Sequence, residues 1–330
     1  MKSLSTILFS VVAIIASAGD LHAQVAAGGQ VFFNPGQAPA MLIYEDSPAI
    51  TVYIVNSNSS AILYKSTPNA SDNEPQLKLS DVQSVYLYEP KPYRQAVELY
   101  QARKYAEALP IFNKVSADYK FTKALPNNYS VLAGFYEMEC MRRLGDLEAL
   151  SKAAAAFDGR GLSRPSQVRQ FELYALWDAV RTKSWDRVVA IGEERIAEKQ
   201  IAYQRAQVAF CLAQGYEAQK KSTKALNAYN MALIADIGAT QEIAEQSAVA
   251  VMRIHLANPD VQTAMKNWGT EDENKTSTGR MHLIEAGAMA ALYQFTLGDG
   301  KALPSQFNIL LKYKPEVDNG EAAAEEPKEK

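Results

Sequence analysis

The residue types that most often carry out catalysis or bind metals are scarce in this chain. Only three of its 330 residues are histidines: His22, His255 and His282. The sequence contains no His-x-x-x-His or Cys-x-x-Cys spacing, no glycine-rich phosphate loop and no nucleophile elbow. We therefore expect no catalytic residue, no metal ligand and no cofactor. A hydrolase that uses a pair of carboxylates remains an open alternative, because Asp and Glu together number 37.

Two cysteines, Cys140 and Cys211, are the remaining candidates for covalent chemistry. They fall on the first helices of two predicted helical hairpins that are separated by a third hairpin. Neighbouring helices pack about 8–10 Å apart, whereas a disulfide needs Cα atoms within about 7 Å. We expect two buried free thiols rather than a disulfide.

The two ends of the chain differ in composition from the rest. Lys2 precedes an apolar run, Leu4 to Ala16, and small residues at Ala18 and Ala23 offer two cleavage sites. This pattern is typical of a secretory signal peptide, so we predict a signal at 1–23 and an exported product, periplasmic or secreted. No later run is long enough to span a membrane.

Charge is unevenly distributed along the chain. The net charge is −3, and acidic residues dominate the last sixteen positions. We predict a disordered acidic tail at 315–330 and a folded body that is close to neutral. Because no basic stripe is present, we expect no nucleic-acid partner.

A flexible lead-in at 24–40 is predicted to precede a small antiparallel β domain at 41–90. Apolar and polar residues alternate in short runs that are separated by Asn-, Ser- and Pro-rich turns, which indicates four or five strands. Several tyrosines lie in this domain. They would either pack across strands or form an aromatic face for carbohydrate. They are Tyr44, Tyr53, Tyr64, Tyr86 and Tyr88.

Helical hairpins are predicted over 91–314 because one pattern recurs there. Two alanines stand twelve residues apart, and a large residue follows the first alanine by three positions. The pairs are Ala96 with Ala108, Ala213 with Ala225 and Ala290 with Ala302. Small residues let two helices approach closely. Extending this frame gives six hairpins, places His255 in the core at the position of Tyr216, and leaves His282 in solvent.

The hairpin region resembles the tetratricopeptide-repeat family. The resemblance is clearest in Leu212-Ala213-x-x-Tyr216, in the Lys224-Ala225-Leu226 segment that follows, and in Tyr105-x-x-Ala108-x-x-x-Phe112. It implies a mainly α fold: an α-solenoid of about six TPR-like hairpins, preceded by the β domain. It also implies a groove lined by the first helices of successive hairpins.

Residues in the repeat frame identify the candidate groove. The arginines suit bidentate contacts with carboxylates, whereas Trp177 and Tyr93 fit packing between repeats equally well. The candidate groove residues are Tyr93, Tyr100, Gln101, Arg142, Arg143, Trp177, Arg181, Gln214 and Glu217.

These patterns favour an exported, non-enzymatic scaffold that binds another protein or peptide in the cell envelope through this groove. The alternative is a carbohydrate- or cell-wall-binding protein that uses the tyrosines of the β domain.

Overall fold

The computed structural model describes residues 33–70, 74–238, 240–273, 277–298 and 300–314. The predicted signal peptide, most of the predicted lead-in and the predicted acidic tail lie outside these ranges. The described chain forms two compact units. One comprises residues 33–90 with Asp118–Leu125, and the other comprises Lys91–Ala117 with residues 126–314.

The first unit is an antiparallel sheet with the strand order β4-β3-β2-β1-β5. Its strands are β1 (Ala38–Ile43), β2 (Ile50–Ser57), β3 (Ala61–Lys65), β4 (Gln76–Lys78) and β5 (Ser84–Leu87). Ala40 pairs with Val52 on one side and Leu87 on the other, and all three side chains are buried. Since successive side chains point to opposite faces of a sheet, the alternating pattern buries one apolar face.

The β unit extends beyond the predicted boundaries of 41–90. β1 begins at Ala38, and the unit also includes Asp118–Leu125. A short 3₁₀ helix in that segment packs against β2, and the Ser57 hydroxyl donates to the carbonyl oxygen of Phe121 at 2.7 Å. The predicted boundaries missed this segment because its contacts join residues far apart in the sequence.

The second unit is helical. The α-helices of the described residues are α1 (Lys91–Gln101), α2 (Tyr105–Asp118), α3 (Tyr129–Leu144), α4 (Leu147–Ala156), α5 (Pro165–Arg181), α6 (Trp185–Ala197), α7 (Ala202–Ala218), α8 (Ser222–Ala235), α9 (Gln241–Ala257), α10 (Pro259–Asn267) and α11 (Ser277–Leu292). α11 continues as a π-helical segment, Tyr293–Leu297, and a 3₁₀ helix follows at Ser305–Tyr313.

Consecutive helices pair. α3 packs on α4, α5 on α6, α7 on α8 and α9 on α10 through short turns, and α11 packs on the final 3₁₀ helix after a longer connection. In the turns after α1, α3, α5 and α7, one residue adopts a positive φ: Arg103 (61°), Gly145 (76°), Lys183 (53°) and Lys220 (58°). A left-handed residue closes a helix by turning the chain back sharply. These four turns therefore share one backbone geometry.

The predicted burial of the paired alanines is confirmed at every position except the last. Five of the six paired alanines have no exposed surface: Ala96, Ala108, Ala213, Ala225 and Ala290. Ala302 is exposed, so its predicted role in helix packing is wrong. The chain there is not helical, and Leu303 and Phe307 are buried instead. A nine-residue 3₁₀ helix replaces the predicted second α-helix.

Candidate binding cleft

A buried ion pair lies within α3, one helical turn apart. Arg142 donates from Nε to Oε1 of Glu139 at 3.1 Å and from Nη2 to Oε2 at 3.0 Å. The hydroxyl of Tyr174 on α5 also donates to Oε1 of Glu139, at 2.8 Å. The side chains of Arg142 and Glu139 are only 1% and 4% exposed. Bidentate geometry and an added hydrogen bond are what a buried pair needs to offset its desolvation.

Glu242, at the start of α9, joins this pair to a distant part of the chain. Nη1 of Arg143 donates to its two oxygens at 2.8 and 3.0 Å, and Nη1 of Arg142 lies 3.4 Å from Oε1. Near the same region, the guanidinium of Arg103 donates to the carbonyl oxygen of Gly238 at 2.7 Å. The turn after α1 and the helix α3 therefore both contact the chain around the start of α9.

The carboxyl group of Glu139 is ionised at neutral pH. Burial acts to raise its pKa, but the charge and hydrogen bonds of Arg142 outweigh burial and hold the pKa below its ordinary value. The pKa of Arg142 is raised above its ordinary value. Burial acts to lower it, but the charge of Glu139 and its hydrogen bonds outweigh burial. The cluster is thus a fixed ionic network at physiological pH.

Two of the three arginines predicted to receive a carboxylate from a partner, Arg142 and Arg143, already bind carboxylates of their own chain in this cluster. Arg142 is buried against Glu139, and Arg143 is paired with Glu242. The sequence showed the arginines on one helix but not their partners, since Glu242 lies 99 positions from Arg143. Both side chains therefore have a structural role, and both also line the smaller of the two clefts described below.

Trp177 packs against neighbouring helices, which is one of the two roles that the sequence left open for it. Its side chain is buried, and its Nε1 donates to Oε1 of Gln207 at 3.0 Å. Gln207 in turn exchanges hydrogen bonds of 2.9 Å with Gln170, so α5 and α7 are joined by a buried amide pair. The guanidinium of Arg142 lies over the indole ring at 5.9 Å. A ligand would have to displace these contacts to reach the face of the ring.

Four other predicted groove residues lie outside the two clefts described below. Tyr93 is buried among aromatic rings, 4.9 Å from Tyr129. The hydroxyl of Tyr100 donates a hydrogen bond to Oε2 of Glu139 at 3.3 Å. Arg181 pairs with Asp178 on its own helix and with Glu148 on α4. Gln101 is exposed at the end of α1.

An open cleft of about 640 Å³ lies between α7 and α9. Gln214 and Glu217, the last two of the predicted groove residues, stand on its α7 wall. Aromatic and aliphatic side chains contribute most of the remaining lining. They are Trp185, Phe210, Ala218, Tyr229, Val249, Ala250 and Tyr293.

A smaller cleft of about 220 Å³ continues from the first toward the ionic network. Phe210, Gln214 and Gln246 line both clefts, so the two are contiguous. Arg142 and Glu242 stand at the far end. Together they form one groove, called the α7/α9 groove below.

Charged side chains on the walls of the groove are paired within the chain. Glu217 accepts hydrogen bonds from Arg253 and from the hydroxyl of Tyr229, both at 2.8 Å. Burial raises the pKa of Tyr229, and the charge of Glu217 raises it further, so the phenol stays a hydrogen-bond donor. Glu245 is paired with Lys301 at 2.6 Å. The groove therefore presents an apolar floor between compensated charges.

Two glutamines face the groove from opposite walls. Gln214 stands on α7 and Gln246 on α9, and both line the two clefts. Neither side-chain amide hydrogen-bonds to another residue within the part of the chain that the structure describes. Each amide offers two donor hydrogens and one acceptor oxygen. The sequence analysis predicted no groove residue on α9. The spacing of Gln246, Val249 and Arg253, which puts them on one helical face, is the signal that could have indicated this wall.

The β-unit tyrosines do not form one aromatic face. Tyr53 and Tyr64 lie on opposite faces of the sheet. Tyr64 pairs with Ile54, which follows Tyr53 on β2, and successive side chains of a strand point to opposite faces. Tyr86 is 46% exposed and its ring makes an edge contact with Tyr88 at 5.8 Å. Of the five tyrosines, only Tyr86 on β5 is exposed.

Comparisons of the chain with protein-family models, with curated proteins and with solved structures give no match. Within the described residues, no helix is both long and apolar enough to cross a lipid bilayer. The functional argument therefore rests on the α7/α9 groove itself.

Proposed function

We propose that this chain is an exported, non-enzymatic scaffold, a TPR-like α-solenoid whose α7/α9 groove binds a segment of another protein in the cell envelope. The observation that carries the proposal is the contiguous groove, open to solvent, with an aromatic floor and a free glutamine amide on each wall.

The dimensions and lining of the groove suit a peptide. The larger cleft, about 640 Å³, falls in the range of roughly 300–1,000 Å³ that is typical of binding pockets. Apolar side chains of a peptide would gain by leaving water against Phe210 and Val249. The amides of Gln214 and Gln246 can each donate to and accept from a peptide backbone.

The electrostatics of the groove favour binding over catalysis. Glu217 and Glu245 each hold a basic partner, Arg253 and Lys301 respectively. A carboxylate that is held by a basic partner is less available to accept a hydrogen bond or a proton from a bound molecule. The short turns and the buried alanine pairs support the TPR-like part of the proposal.

Photo-crosslinking tests the proposal in cells that produce the chain. Benzoylphenylalanine replaces Gln214 or Gln246 in turn, and the control places it at Glu194, an exposed position on α6. We expect protease-sensitive adducts of one defined mass from both groove positions and none from the control.

A blocking variant shows whether the groove itself is responsible. Gln246→Trp places an indole in the groove, and Gln262→Trp makes the same change on the exposed surface of α10. We expect the adduct from position 214 to disappear with the first change and to persist with the second. Adducts that form equally at position 194, or that contain sugar rather than protein, would refute the proposal.

A further inference from the structure

Two histidines that are far apart in the sequence meet between α9 and α11. His255 on α9 is 3% exposed, which confirms its predicted place in the core. The ring of His282 on α11 lies 5.4 Å from it, centre to centre. Glu285 follows His282 by one helical turn. The sequence prediction of no metal ligand did not anticipate this meeting.

The potential ligand atoms of these residues converge on a small volume. Oε2 of Glu285 lies 3.0 Å from Nδ1 of His282 and 3.8 Å from Nε2 of His255. One ligand atom from each residue can be chosen so that all three lie within 4.8 Å of one another. Bonds of about 2.0–2.2 Å around a tetrahedral ion place ligand atoms roughly 3.3–3.6 Å apart. Small side-chain rotations therefore bring the observed arrangement to metal-binding geometry.

The hydrogen bonds and exposure of these side chains are compatible with such a rotation. Nδ1 of His255 is buried and has no hydrogen-bond partner among the described residues, so the ring can turn without breaking a bond at that atom. His282 and Glu285 are 29% and 52% exposed, which leaves them room to move.

We propose that His255, His282 and Glu285 form a binding site for Zn²⁺ or a similar divalent transition metal that links α9 to α11. Two imidazoles and one carboxylate favour Zn²⁺, Cu²⁺ or Ni²⁺ over Ca²⁺ and Mg²⁺, which prefer oxygen ligands. Three protein ligands leave a fourth position of a tetrahedral ion for water. The site shares α9 with the α7/α9 groove but none of its lining residues, and the proposal does not depend on the function of the groove.

Metal titration of the full chain, purified without a polyhistidine tag and treated with a chelator, tests the proposal. Isothermal titration with Zn²⁺ is expected to show one site per chain, and Co²⁺ is expected to give the visible absorption of a tetrahedral complex. Thermal unfolding in Zn²⁺ should occur several degrees higher than in chelator, because the ion binds only the folded arrangement.

Variants separate this site from binding elsewhere in the chain. His282→Ala should weaken Zn²⁺ binding by at least about 100-fold and remove the thermal shift, since outer-sphere partners alone contribute roughly 10- to 100-fold. Glu285→Gln provides a second test that keeps the side-chain shape. Met281→Ala, an exposed neighbour on α11, and Glu194→Gln on α6 should bind as the parent does.

Two results would overturn the proposal. One is the absence of stoichiometric binding for all three of Zn²⁺, Ni²⁺ and Cu²⁺. The other is unchanged affinity in both His282→Ala and Glu285→Gln, which would show that the three side chains are an ordinary packed histidine beside a helical His–Glu pair.

Discussion

Nη1 of Arg143 on α3 lies 2.8 Å and 3.0 Å from the two carboxylate oxygens of Glu242 on α9. The two residues are 99 positions apart, and their side chains are 7% and 24% exposed. Charges in such a site attract one another more strongly than in water, because the effective dielectric constant is lower. The pair connects α3 to α9 and closes one end of the α7/α9 groove.

Breaking the ion pair inside α3 should destabilise the fold strongly. Glu139→Gln removes the buried, bidentate carboxylate and leaves the guanidinium of Arg142 only its 3.4 Å contact with Glu242, so we expect the free energy of unfolding to fall by about 3–5 kcal/mol. Glu148→Gln removes a carboxylate from an exposed pair with Arg181 and should change stability little. Urea unfolding of both variants checks this. Similar losses in the two would contradict it.

The same carboxylate predicts how stability depends on pH. The folded pKa of Glu139 lies below its ordinary value of 4.5, so its contribution is complete above about pH 4.5 and disappears as pH falls through the folded pKa. The stability difference between the parent and Glu139→Gln should therefore be constant from pH 7 to about 5 and shrink below that. Urea unfolding at pH values from 7 to 3 measures it. A difference that grows on acidification would rule this out.

Two alanines at equivalent positions of the repeat frame should respond differently to enlargement. Ala225 has no exposed surface, so Ala225→Met overpacks the α7–α8 contact and should cost about 1–3 kcal/mol. Ala302 is exposed, so Ala302→Met should leave stability unchanged. Thermal or denaturant unfolding compares them directly. Equal destabilisation would mean that Ala302 packs as the frame predicted.

Both cysteines should be inert in the folded chain. Cys140 and Cys211 are free and buried, as the sequence predicted. Burial raises the pKa of Cys140 to about 12, with a further rise from Glu139, and burial also raises that of Cys211. Because the thiolate is the reactive form, a thiol reagent should label neither residue at pH 7.5 and both after unfolding. An engineered Lys152→Cys on the exposed surface of α4 provides the reactive control, and rapid labelling of the native parent chain would disprove the prediction.

Local patterns predicted those parts of the fold that depend on neighbours in the chain. The alternating runs gave the β strands, and the alanine spacing placed α7 and α8 with Ala213 and Ala225 buried at their contact. The same spacing failed at Ala302, because the burial of Leu303 and Phe307 determined the packing there instead. The spacing of the alanines indicates which side chains are small enough to lie between two paired helices. It cannot show which of them actually do.

The candidate site was predicted less completely. Gln214 and Glu217 line the larger cleft of the groove, and Arg142, Arg143 and Trp177 line the smaller one. The sequence did not show that both arginines are held there by carboxylates of their own chain. A single helix shows which residues share a face, but the opposite wall comes from another helix.

The sequence by itself determined the strands, the helices, the small residues between paired helices and the burial of His255. The tertiary structure decided which distant groups meet: Arg143 with Glu242, Gln214 across from Gln246, and His255 beside His282 and Glu285. The reason is physical. Helix and strand formation depends on side chains a few positions apart, whereas a groove or an ion-binding cluster depends on how whole helices pack against one another.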